Sequence, residues 1–249
     1  MSLGVRGLRG LQRLEERLAL TTAIIDSGGI AGALVAIDFT GNDSSVAASS
    51  SHAEHVADAF NDVSTADLLD LKVVDARGVL QNSALKNALA WVVDNVERYD
   101  IDVVNLSFSH PYYSGYLDVY LEELAAKGVV VVGAAGNGGN DSLNYPAMHS
   151  SVVAAMALGD DADGLAWYSQ RGYDAIAAPA KYAGTSYAAP YIAAAFQVLK
   201  DAMGEVSREA LVDHLFATAD VTSGRYRSVN LTRALKSLEV CCTANHKDD

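Results

Sequence analysis

Short apolar runs alternate with amphipathic stretches along most of this 249-residue chain. The apolar runs are rich in Val, Ile and Ala and are bounded by Asp, Gly or Ser, which is typical of β-strands. They predict strands at Thr21–Asp26, Leu34–Phe39, Leu69–Val74, Asp102–Ser107, Val129–Ala134 and Val152–Leu158. The amphipathic stretches predict helices at Val5–Leu18, His52–Phe60, Ser83–Tyr99, Tyr116–Lys127, Thr185–Met203 and Ser207–Ala217.

Several predicted strands are apolar almost throughout, as in the run Val129-Val130-Val131-Val132. Such strands are found in sheets that are covered on both faces. Because strands and helices alternate, we predict the α/β class, with a three-layer α/β/α sandwich around a mainly parallel central sheet. No repeat or linker interrupts the pattern, so residues 1–249 are predicted to form a single domain. Residues 1–19 would be an N-terminal helical extension and residues 204–249 a C-terminal helical tail.

Composition and charge narrow the classes of partner. Half of the residues are hydrophobic, 20% are charged and the formal net charge is −13. Nucleic acids and anionic membranes require a basic surface, so we expect no nucleic acid and no membrane as partner. No apolar stretch is long enough for a transmembrane helix, and Arg6, Arg9 and Arg13 interrupt the N-terminus where a signal peptide would be apolar.

The two cysteines, Cys241 and Cys242, are adjacent. A disulfide between neighbouring residues is strained, so the chain has no disulfide framework, as is usual in a reducing compartment. Together with the lack of a signal peptide, this favours a cytoplasmic location over secretion.

Ser186 lies in the segment Gly184–Pro190, directly before a long helical pattern. The free N–H groups and the positive dipole at a helix N-terminus favour negative charge. A nucleophilic hydroxyl and the oxyanion that it generates in acyl transfer need such surroundings. A Thr-Ser helix cap would have the same sequence. On this segment alone, both interpretations stay open.

A serine nucleophile needs a base, and histidine has a suitable pKa near neutrality. His52 and His55 lie in Ser51–Ala57, at the start of a predicted helix. A metal site on one helical face is the alternative. However, Glu54 lies one position beyond the place it has in the His-Glu-x-x-His signature of zinc proteases. We therefore predict a base and no metal.

Polar residues follow several predicted strands. Asp26 ends one strand, Asn105 and Ser107 end another, and Asn137 comes just after a third. The carboxyl ends of parallel strands meet at one edge of a sheet, where α/β proteins commonly form their sites. Turn formation alone would explain many of these residues.

In chain order, four segments resemble motifs of the subtilisin-like serine peptidases, the subtilase family. Ala23–Gly28 resembles the strand and turn that hold the catalytic aspartate, and Ser51–Ala57 resembles His-Gly-Thr-His-Val-Ala, whose first histidine is catalytic. Gly133–Asn137 resembles the run that ends in the oxyanion asparagine, and Gly184–Pro190 resembles the nucleophile motif Gly-Thr-Ser-x-Ala-x-Pro. The resemblance extends over about residues 20 to 200 and implies a subtilisin-like fold.

The resemblance implies a serine endopeptidase with Asp26, His52 and Ser186 as catalytic residues and Asn137 as an oxyanion donor. Asp38 also ends an apolar run, but its context fits a strand that leads into a loop, so Asp26 is favoured. The substrate would be a peptide or protein bound as an extended strand, paired with the edges Ser107–Ser109 and Ala134–Gly136. The residues expected to bind it are Ser107, Phe108, Ser109, Ala134, Ala135, Gly136 and Asn144.

The chain departs from the family motifs in the histidine segment. Ala53 and Glu54 replace Gly and Thr, and Asp58 replaces a glycine. No catalytic group is lost. Glu54 would raise the pKa of His52, contact a basic substrate or, as we favour, lie solvated on the helix surface. Asn144 and Phe108 supply no charge to the first specificity pocket, which suggests an apolar or uncharged residue before the cleaved bond.

The resemblance also bears on cofactors and on alternatives. The stretch after the histidine helix is too short for the loop that carries most ligands of a tight calcium site in relatives. The acidic turn Gly159–Gly164 lacks the ligand spacing of an EF-hand. We therefore expect no cofactor, with calcium as the open alternative. Because no long propeptide precedes Asp26, a specialised processing protease or transamidase for one precursor peptide is a second hypothesis, and an inactive binding domain is a third, less favoured one.

Overall fold

The structure is a computed structural model that describes residues 20–41, 48, 50–160, 164–222 and 225–244. The helix predicted at residues 5–18 and part of the acidic turn, residues 161–163, lie outside the described residues. Among the described residues, no helix has the length and apolar character needed to cross a membrane.

Nine strands form one sheet in the described part of the chain. Their order across the sheet is β2-β3-β1-β4-β5-β6-β7-β9-β8, and neighbouring strands are parallel except for β8 and β9. The strands are β1 Thr21–Asp26, β2 Val35–Asp38, β3 Asp67–Lys72, β4 Ile101–Leu106, β5 Val130–Ala134, β6 Val152–Ala157, β7 Ile176–Ala178, β8 Asp220–Thr222 and β9 Tyr226–Ser228. The predicted mainly parallel sheet is confirmed.

Helices cover both faces of this sheet. The helices are α1 His52–Asn61, α2 Asn82–Tyr99, α3 Asp118–Ala126, α4 Thr185–Met203, α5 Arg208–Ala217 and α6 Leu231–Ala244. On one face, α1 and α4 pack on alternate strand residues such as Ile24 and Val130. On the other face, α2 and α3 pack on the residues between them, such as Ile25 and Val131. The three-layer α/β/α sandwich is confirmed.

The central strands have no alternation of exposed and buried residues. Every residue of β1, β5 and β6 is buried, because both faces of these strands meet helices. The carboxyl ends of β1, β4 and β5 therefore emerge side by side from a rigid core, and they position the candidate site.

The C-terminal part differs from the prediction. Residues 204–249 were expected to be helical, but this segment also contributes β8 and β9, which extend the sheet beyond β7. These strands and β7 have three residues each, which is too short for a clear period of hydrophobic residues. Their pairing with the sheet, rather than their own sequence, makes them strands.

Candidate active site

Asp26 and His52 form the centre of the candidate site. Asp26 is the last residue of β1 and is only 4% exposed, and His52 opens α1. His52 Nδ1 lies 2.8 Å from Asp26 Oδ1 and 2.9 Å from Asp26 Oδ2. An Nδ1–H that donates to a carboxylate leaves Nε2 as the unprotonated nitrogen of the neutral ring. The pair is therefore arranged to present a base.

The pKa of His52 reflects two opposing effects. Burial of the ring lowers the pKa, because it disfavours the imidazolium. The hydrogen bond to Asp26 and the negative charge of that carboxylate raise it, and together they outweigh the burial, so that the pKa of His52 lies above its usual range. Protonation of His52 is therefore more favourable in this site than protonation of a histidine in water.

Ser27 ties the carboxylate to the histidine helix. Its backbone N–H donates to Asp26 Oδ1 at 2.6 Å. Its hydroxyl donates to the carbonyl oxygen of Ser50 at 3.2 Å and accepts from the N–H of Ala53 at 3.1 Å. The turn after Asp26 and the first turn of α1 are therefore held together, which fixes His52 relative to Asp26.

Ser186 lies in the first turn of α4, partly exposed. The carbonyl oxygen of Ser186 accepts a hydrogen bond of 2.6 Å from Ser107 Oγ, and Asn105 Nδ2 donates to that same oxygen of Ser107 at 2.9 Å. The ring centroids of His52 and Tyr187 are 5.3 Å apart, which places His52 beside this turn. Among the residues that the structure describes, no hydrogen bond joins Ser186 Oγ to His52 Nε2.

Gly184 lets the chain enter α4 next to the site. Its φ is +139°, in the range that favours glycine. A Cβ built on Gly184 would lie 3.8 Å from Asn137 Nδ2, so the asparagine amide is close to the turn that carries Ser186.

Asn137 is exposed, and its side chain is oriented by Thr185. Asn137 Oδ1 accepts from the N–H of Thr185 at 2.9 Å and from Thr185 Oγ1 at 3.1 Å. Because both bonds use the oxygen, the amide nitrogen is the end left to donate to a ligand. Thr185 Oγ1 also accepts from the N–H of Gly136 at 3.1 Å. Sequence analysis treated Thr185 only as a possible cap, although it neighbours Ser186 in the motif.

The expected substrate-binding residues separate into two groups. Ser109 Oγ accepts from Asn144 Nδ2 at 3.0 Å, which brings these two residues together. Phe108 faces a neighbouring cavity of about 190 Å³ that Tyr116 and Tyr145 also line. In the described part of the chain, the backbone groups of Phe108 and Ser109 have no hydrogen-bond partner, as a strand edge that accepts a peptide requires.

The second expected edge, Ala134–Gly136, differs from the prediction of a peptide-pairing strand. The N–H of Ala135 donates to the carbonyl oxygen of Ala155 at 2.9 Å. The carbonyl oxygen of Ala135 accepts from the backbone N–H of Asn144 at 2.9 Å. The N–H of Gly136 donates to Thr185 Oγ1, and the carbonyl oxygen of Gly136 accepts from the backbone N–H of Gln170 at 3.0 Å. With their backbone groups used inside the protein, Ala135 and Gly136 line the site and do not pair with a peptide.

Gln170, which sequence analysis missed, lies directly against Gly136. It is 5% exposed, and a Cβ built on Gly136 would lie 1.7 Å from Gln170 Oε1. Its Nε2 donates to Asn140 Oδ1 at 3.2 Å and also to the carbonyl oxygen of Ser142. Nothing in the local sequence of this glutamine distinguishes it from a surface residue.

Asp38, the alternative acid, lies elsewhere. Its carboxylate pairs with Lys72 Nζ at 3.0 Å and accepts from Thr40 Oγ1 at 2.6 Å. Burial raises the pKa of Asp38, but the bonds from Thr40 and Lys72 outweigh it and hold the pKa below its usual range. The structure thus brings Asp26 to His52 and gives Asp38 different partners.

Asp58, which departs from the family motif, contacts the segment before Ser186. It accepts from Lys181 Nζ at 2.9 Å and from the Tyr182 hydroxyl at 2.7 Å, and these bonds hold the pKa of Asp58 below its usual range. Lys181 also pairs with Asp62 at 2.8 Å, and the ring of His55 stacks on Tyr182 at 4.3 Å. We call Asp58, Asp62, Lys181 and Tyr182 the α1 latch.

The other positions near His52 have simpler surroundings. Glu54 is exposed, as a solvated residue on the surface of α1 would be. Among the described residues, no group of three or more His, Cys, Asp or Glu side chains is arranged to hold a metal. His55 stacks on an aromatic ring rather than facing His52 across a shared ligand.

Comparison with known proteins adds a family to this geometry. A model of the subtilase family matches residues 35–237. Over 169 residues the chain is 31% identical to Subtilisin Savinase of Lederbergia lenta, which covers 62% of this chain and 61% of that protein. Over 198 residues it is 29% identical to Subtilisin E of Bacillus subtilis (strain 168), which covers 68% of this chain and 51% of that protein. The chain thus matches less than two thirds of the length of these relatives.

Solved structures show the same fold. A cold adapted subtilisin-like serine proteinase superposes with a TM-score of 0.74 at 20% identity, over 84% of this chain and 87% of that one. The prenylagaramide maturation protease PagA superposes with a TM-score of 0.70 at 21% identity, over 94% of this chain and 99% of that one.

Proposed function

The chain belongs to the subtilase family of subtilisin-like serine peptidases, and we propose that it is a serine endopeptidase that uses Asp26, His52 and Ser186. One observation carries the proposal. The imidazole of His52 is bonded through Nδ1 to the buried carboxylate of Asp26 at 2.8 Å, beside the helix turn that bears Ser186. This is the arrangement that activates a serine for attack on a carbonyl group.

The acid–base steps follow from the tautomer of His52. Asp26 accepts the Nδ1–H bond, so Nε2 takes the hydroxyl proton as Ser186 attacks the peptide carbonyl. The resulting imidazolium is stabilised by the Asp26 carboxylate, the same interaction that raises the pKa of His52. The imidazolium then gives its proton to the leaving amine, and water releases the acyl group from Ser186 by the same route.

Asn137 and the helix N-terminus stabilise the oxyanion in this proposal. Thr185 holds the Asn137 oxygen at 2.9 Å, so Nδ2 is directed to a ligand, and the backbone N–H of Ser186 is a second donor. Donors fixed before the reaction cost no reorganisation when negative charge develops on the carbonyl oxygen. One such donor contributes about 3–4 kcal/mol in the transition state.

The substrate in this proposal is a peptide or protein bound as an extended strand along Ser107–Ser109. Ser109 and Asn144 present uncharged polar groups, and Phe108 lies beside them in the neighbouring cavity. We therefore propose an apolar or uncharged residue before the cleaved bond. A peptide-library profile dominated by Arg or Lys at that position would contradict this specificity.

Labelling with a fluorophosphonate probe tests the catalytic proposal. The probe reacts with an activated serine hydroxyl and loses fluoride, so the wild-type protein becomes labelled and Ser186→Ala does not. Ser150→Ala is the matched control, because Ser150 is exposed and precedes β6, at the opposite edge of the sheet. Absence of labelling in folded wild-type protein would overturn the proposal and favour an inactive binding domain.

A second candidate function is the processing of one precursor peptide, by hydrolysis or by transamidation. It is favoured by the superposition that covers 94% of this chain and 99% of the maturation protease PagA. The test offers casein beside candidate precursor peptides and analyses the products by mass. Ready digestion of casein would count against a dedicated processing enzyme. Joining of the acyl segment to an added amine would favour the transamidase.

A further inference from the structure

A buried group of charges lies behind Asp26 on the α1 side of the sheet. In the strand registers, Asp26 lies opposite Lys72, and Lys72 lies opposite Asp38. Asp70, two residues before Lys72, lies opposite Ile24 of β1. Because side chains alternate along a strand, Asp70 points to the same face as Asp26, the face that α1 covers.

Asp70 is the most buried of these carboxylates, at 1% exposure. Its Oδ2 accepts from the N–H groups of Gly29 at 2.8 Å and Ile30 at 2.9 Å. Among the described residues, its Oδ1 is buried and has no hydrogen-bond partner. A buried carboxylate with one unbonded oxygen is unfavourable for folding, so stability alone does not account for an aspartate at this position.

The two N–H groups bonded by Asp70 belong to the turn that begins at Asp26. Ser27 in this turn bonds to the first turn of α1, at Ala53. Gly29 has a φ of +92°, and a Cβ there would lie 2.6 Å from the Cβ of Ala48. The turn is therefore tightly packed, and Asp70 holds it from the side of the sheet.

The charge of Asp70 also acts within this group. Burial raises the pKa of Asp70, and the negative charge of Asp26 raises it further, against the opposing effects of Ile30, Gly29 and Lys72. The charged groups that act on Asp70 are Asp26 on β1 and Lys72 on β3. Lys72 in turn pairs with Asp38 on β2 at 3.0 Å. Asp70 is thus coupled to Asp26, the carboxylate that bonds to His52.

We propose that Asp70 is a positioning residue of the catalytic pair. Its carboxylate fixes the turn that joins Asp26 to the helix of His52, and its negative charge stabilises the imidazolium of His52. The inference rests on the proposed function of Asp26 and His52. Its consequence has a definite sign. Negative charge at Asp70 favours the protonated ring, so the acid limb of kcat/KM lies at a higher pH than it would with a neutral residue.

Asp70→Asn separates the two effects, because an amide oxygen still accepts from Gly29 and Ile30 but carries no charge. We expect its acid limb to move to lower pH by about half a unit, as one partly buried charge would cause. Asp70→Ala also removes the two hydrogen bonds, and we expect a further loss in kcat, about tenfold, with little change in KM.

Asp102→Asn is the matched control. Asp102 is also a poorly exposed sheet carboxylate, but it is the second residue of β4 and therefore lies at the opposite edge from the site. We expect Asp102→Asn to leave the acid limb in place. An equal shift in the two variants would overturn the proposal, because the effect would then be general rather than local to Asp70.

An NMR titration of the His52 ring tests the charge effect without any turnover, with His52→Gln to assign the signal. We expect a lower pKa of His52 in Asp70→Asn than in the wild type or in Asp102→Asn. An unchanged pKa in folded Asp70→Asn would overturn the inference. A different result would overturn the proposed function alone. In that case the fluorophosphonate probe would not label the wild type, although the pKa of His52 still fell in Asp70→Asn.

A measurement on the wild type keeps the inference testable if Asp70→Asn does not fold. The carboxyl carbon signal of Asp70 should show a second titration step at the pH where His52 ionises, because the two charges are coupled. Absence of that step would contradict the charge effect.

Discussion

Two carboxylates of the same sheet, Asp26 and Asp102, differ in how completely their negative charge is compensated by hydrogen bonds and ion pairs. Asp26, at the carboxyl edge, is bonded by the N–H of Ser27 at 2.6 Å and by His52 Nδ1 at 2.8 Å. Asp102, at the other edge, lies 3.7 Å from Lys200 Nζ, and its Oδ2 has no hydrogen-bond partner in the described part of the chain. Burial raises the pKa of Asp102 to about 6.

The difference is one of preorganisation. At Asp26 the donors are supplied by a turn and a helix N-terminus that the fold holds in place, so a charge is available for chemistry. At Asp102 the compensation is incomplete, so the charge lowers stability and responds to pH. The same residue type thus carries a compensated charge at one edge of the sheet and a destabilising charge at the other.

The largest expected effect is a loss of kcat on substitution of Asp26. Asp26→Asn keeps the size of the side chain but removes the charge that fixes the tautomer of His52, and we expect kcat to fall by about 10⁴-fold. Asp102→Asn should leave kcat unchanged. Steady-state kinetics on one peptide substrate compare the two variants. A loss of less than tenfold in Asp26→Asn would contradict the role assigned to Asp26.

A smaller effect is expected at the group that orients Asn137. Asn137→Ala removes an oxyanion donor, and we expect a loss of about 10²–10³-fold in kcat. Thr185→Ala leaves the donor but removes the hydroxyl that holds Asn137 Oδ1 at 3.1 Å, so a loss of about tenfold in kcat is expected, with KM nearly unchanged. Equal kinetics in Thr185→Ala and the wild type would show that Asn137 needs no such support.

At Asp102 the expected effect is on the stability of the fold and depends on pH. Its pKa of about 6 in the folded state lies above the usual value of about 3.9, so the folded protein binds the proton more tightly than the unfolded chain. Stability from this group is therefore lost as the pH rises from about 4 to 6, and the full penalty is present at pH 7.

Asp102→Asn removes this penalty. We expect it to raise the free energy of unfolding at pH 7 by about 1–2 kcal/mol and to have almost no effect at pH 3.5. Thermal unfolding of the Ser186→Ala background, in which self-digestion is prevented, measures both. A stabilisation that is the same at the two pH values would point to a cause other than the ionisation of Asp102.

Sequence patterns predicted the parts of the fold that depend on local composition. The segments at residues 21–26 and 130–134 have no alternation of exposed and buried residues, because both faces of these strands are buried, and their positions follow from the sequence. The run Asp220–Thr222 contains one apolar residue, so only its pairing with β9 makes it a strand.

The candidate site divides in the same way. Asp26, His52, Asn137 and Ser186 stand in motifs, so the sequence alone indicated them. The roles of Thr185, Asp58 and Asp70 depend on contacts between distant segments. Asp58 and Tyr182, for example, are 124 residues apart in the chain. The only local signal for Asp70 is a charged residue within the apolar run Leu68–Leu71.

The smallest expected effect concerns the α1 latch, which joins the helix of His52 to the segment before Ser186. Asp58→Ala removes the bonds to Lys181 at 2.9 Å and Tyr182 at 2.7 Å. Exposed ion pairs contribute little, because water and salt screen them, so we expect kcat to fall only about two- to fivefold. The difference from the wild type should shrink at high salt, because salt screens the pair.

Arg233→Gln provides the control for the latch, since Arg233 pairs with Asp220 at 2.5 Å in a similarly exposed position next to β8, far along the sheet from β1. It should change neither kcat nor its salt dependence. Tyr182→Phe keeps the ring that stacks on His55 and removes only the hydroxyl bond. If Tyr182→Phe and Asp58→Ala lower kcat together while Arg233→Gln does not, the latch acts by aligning His52 with Ser186. A salt-independent loss in Asp58→Ala would instead assign its effect to the packing of α1, since screening cannot alter packing.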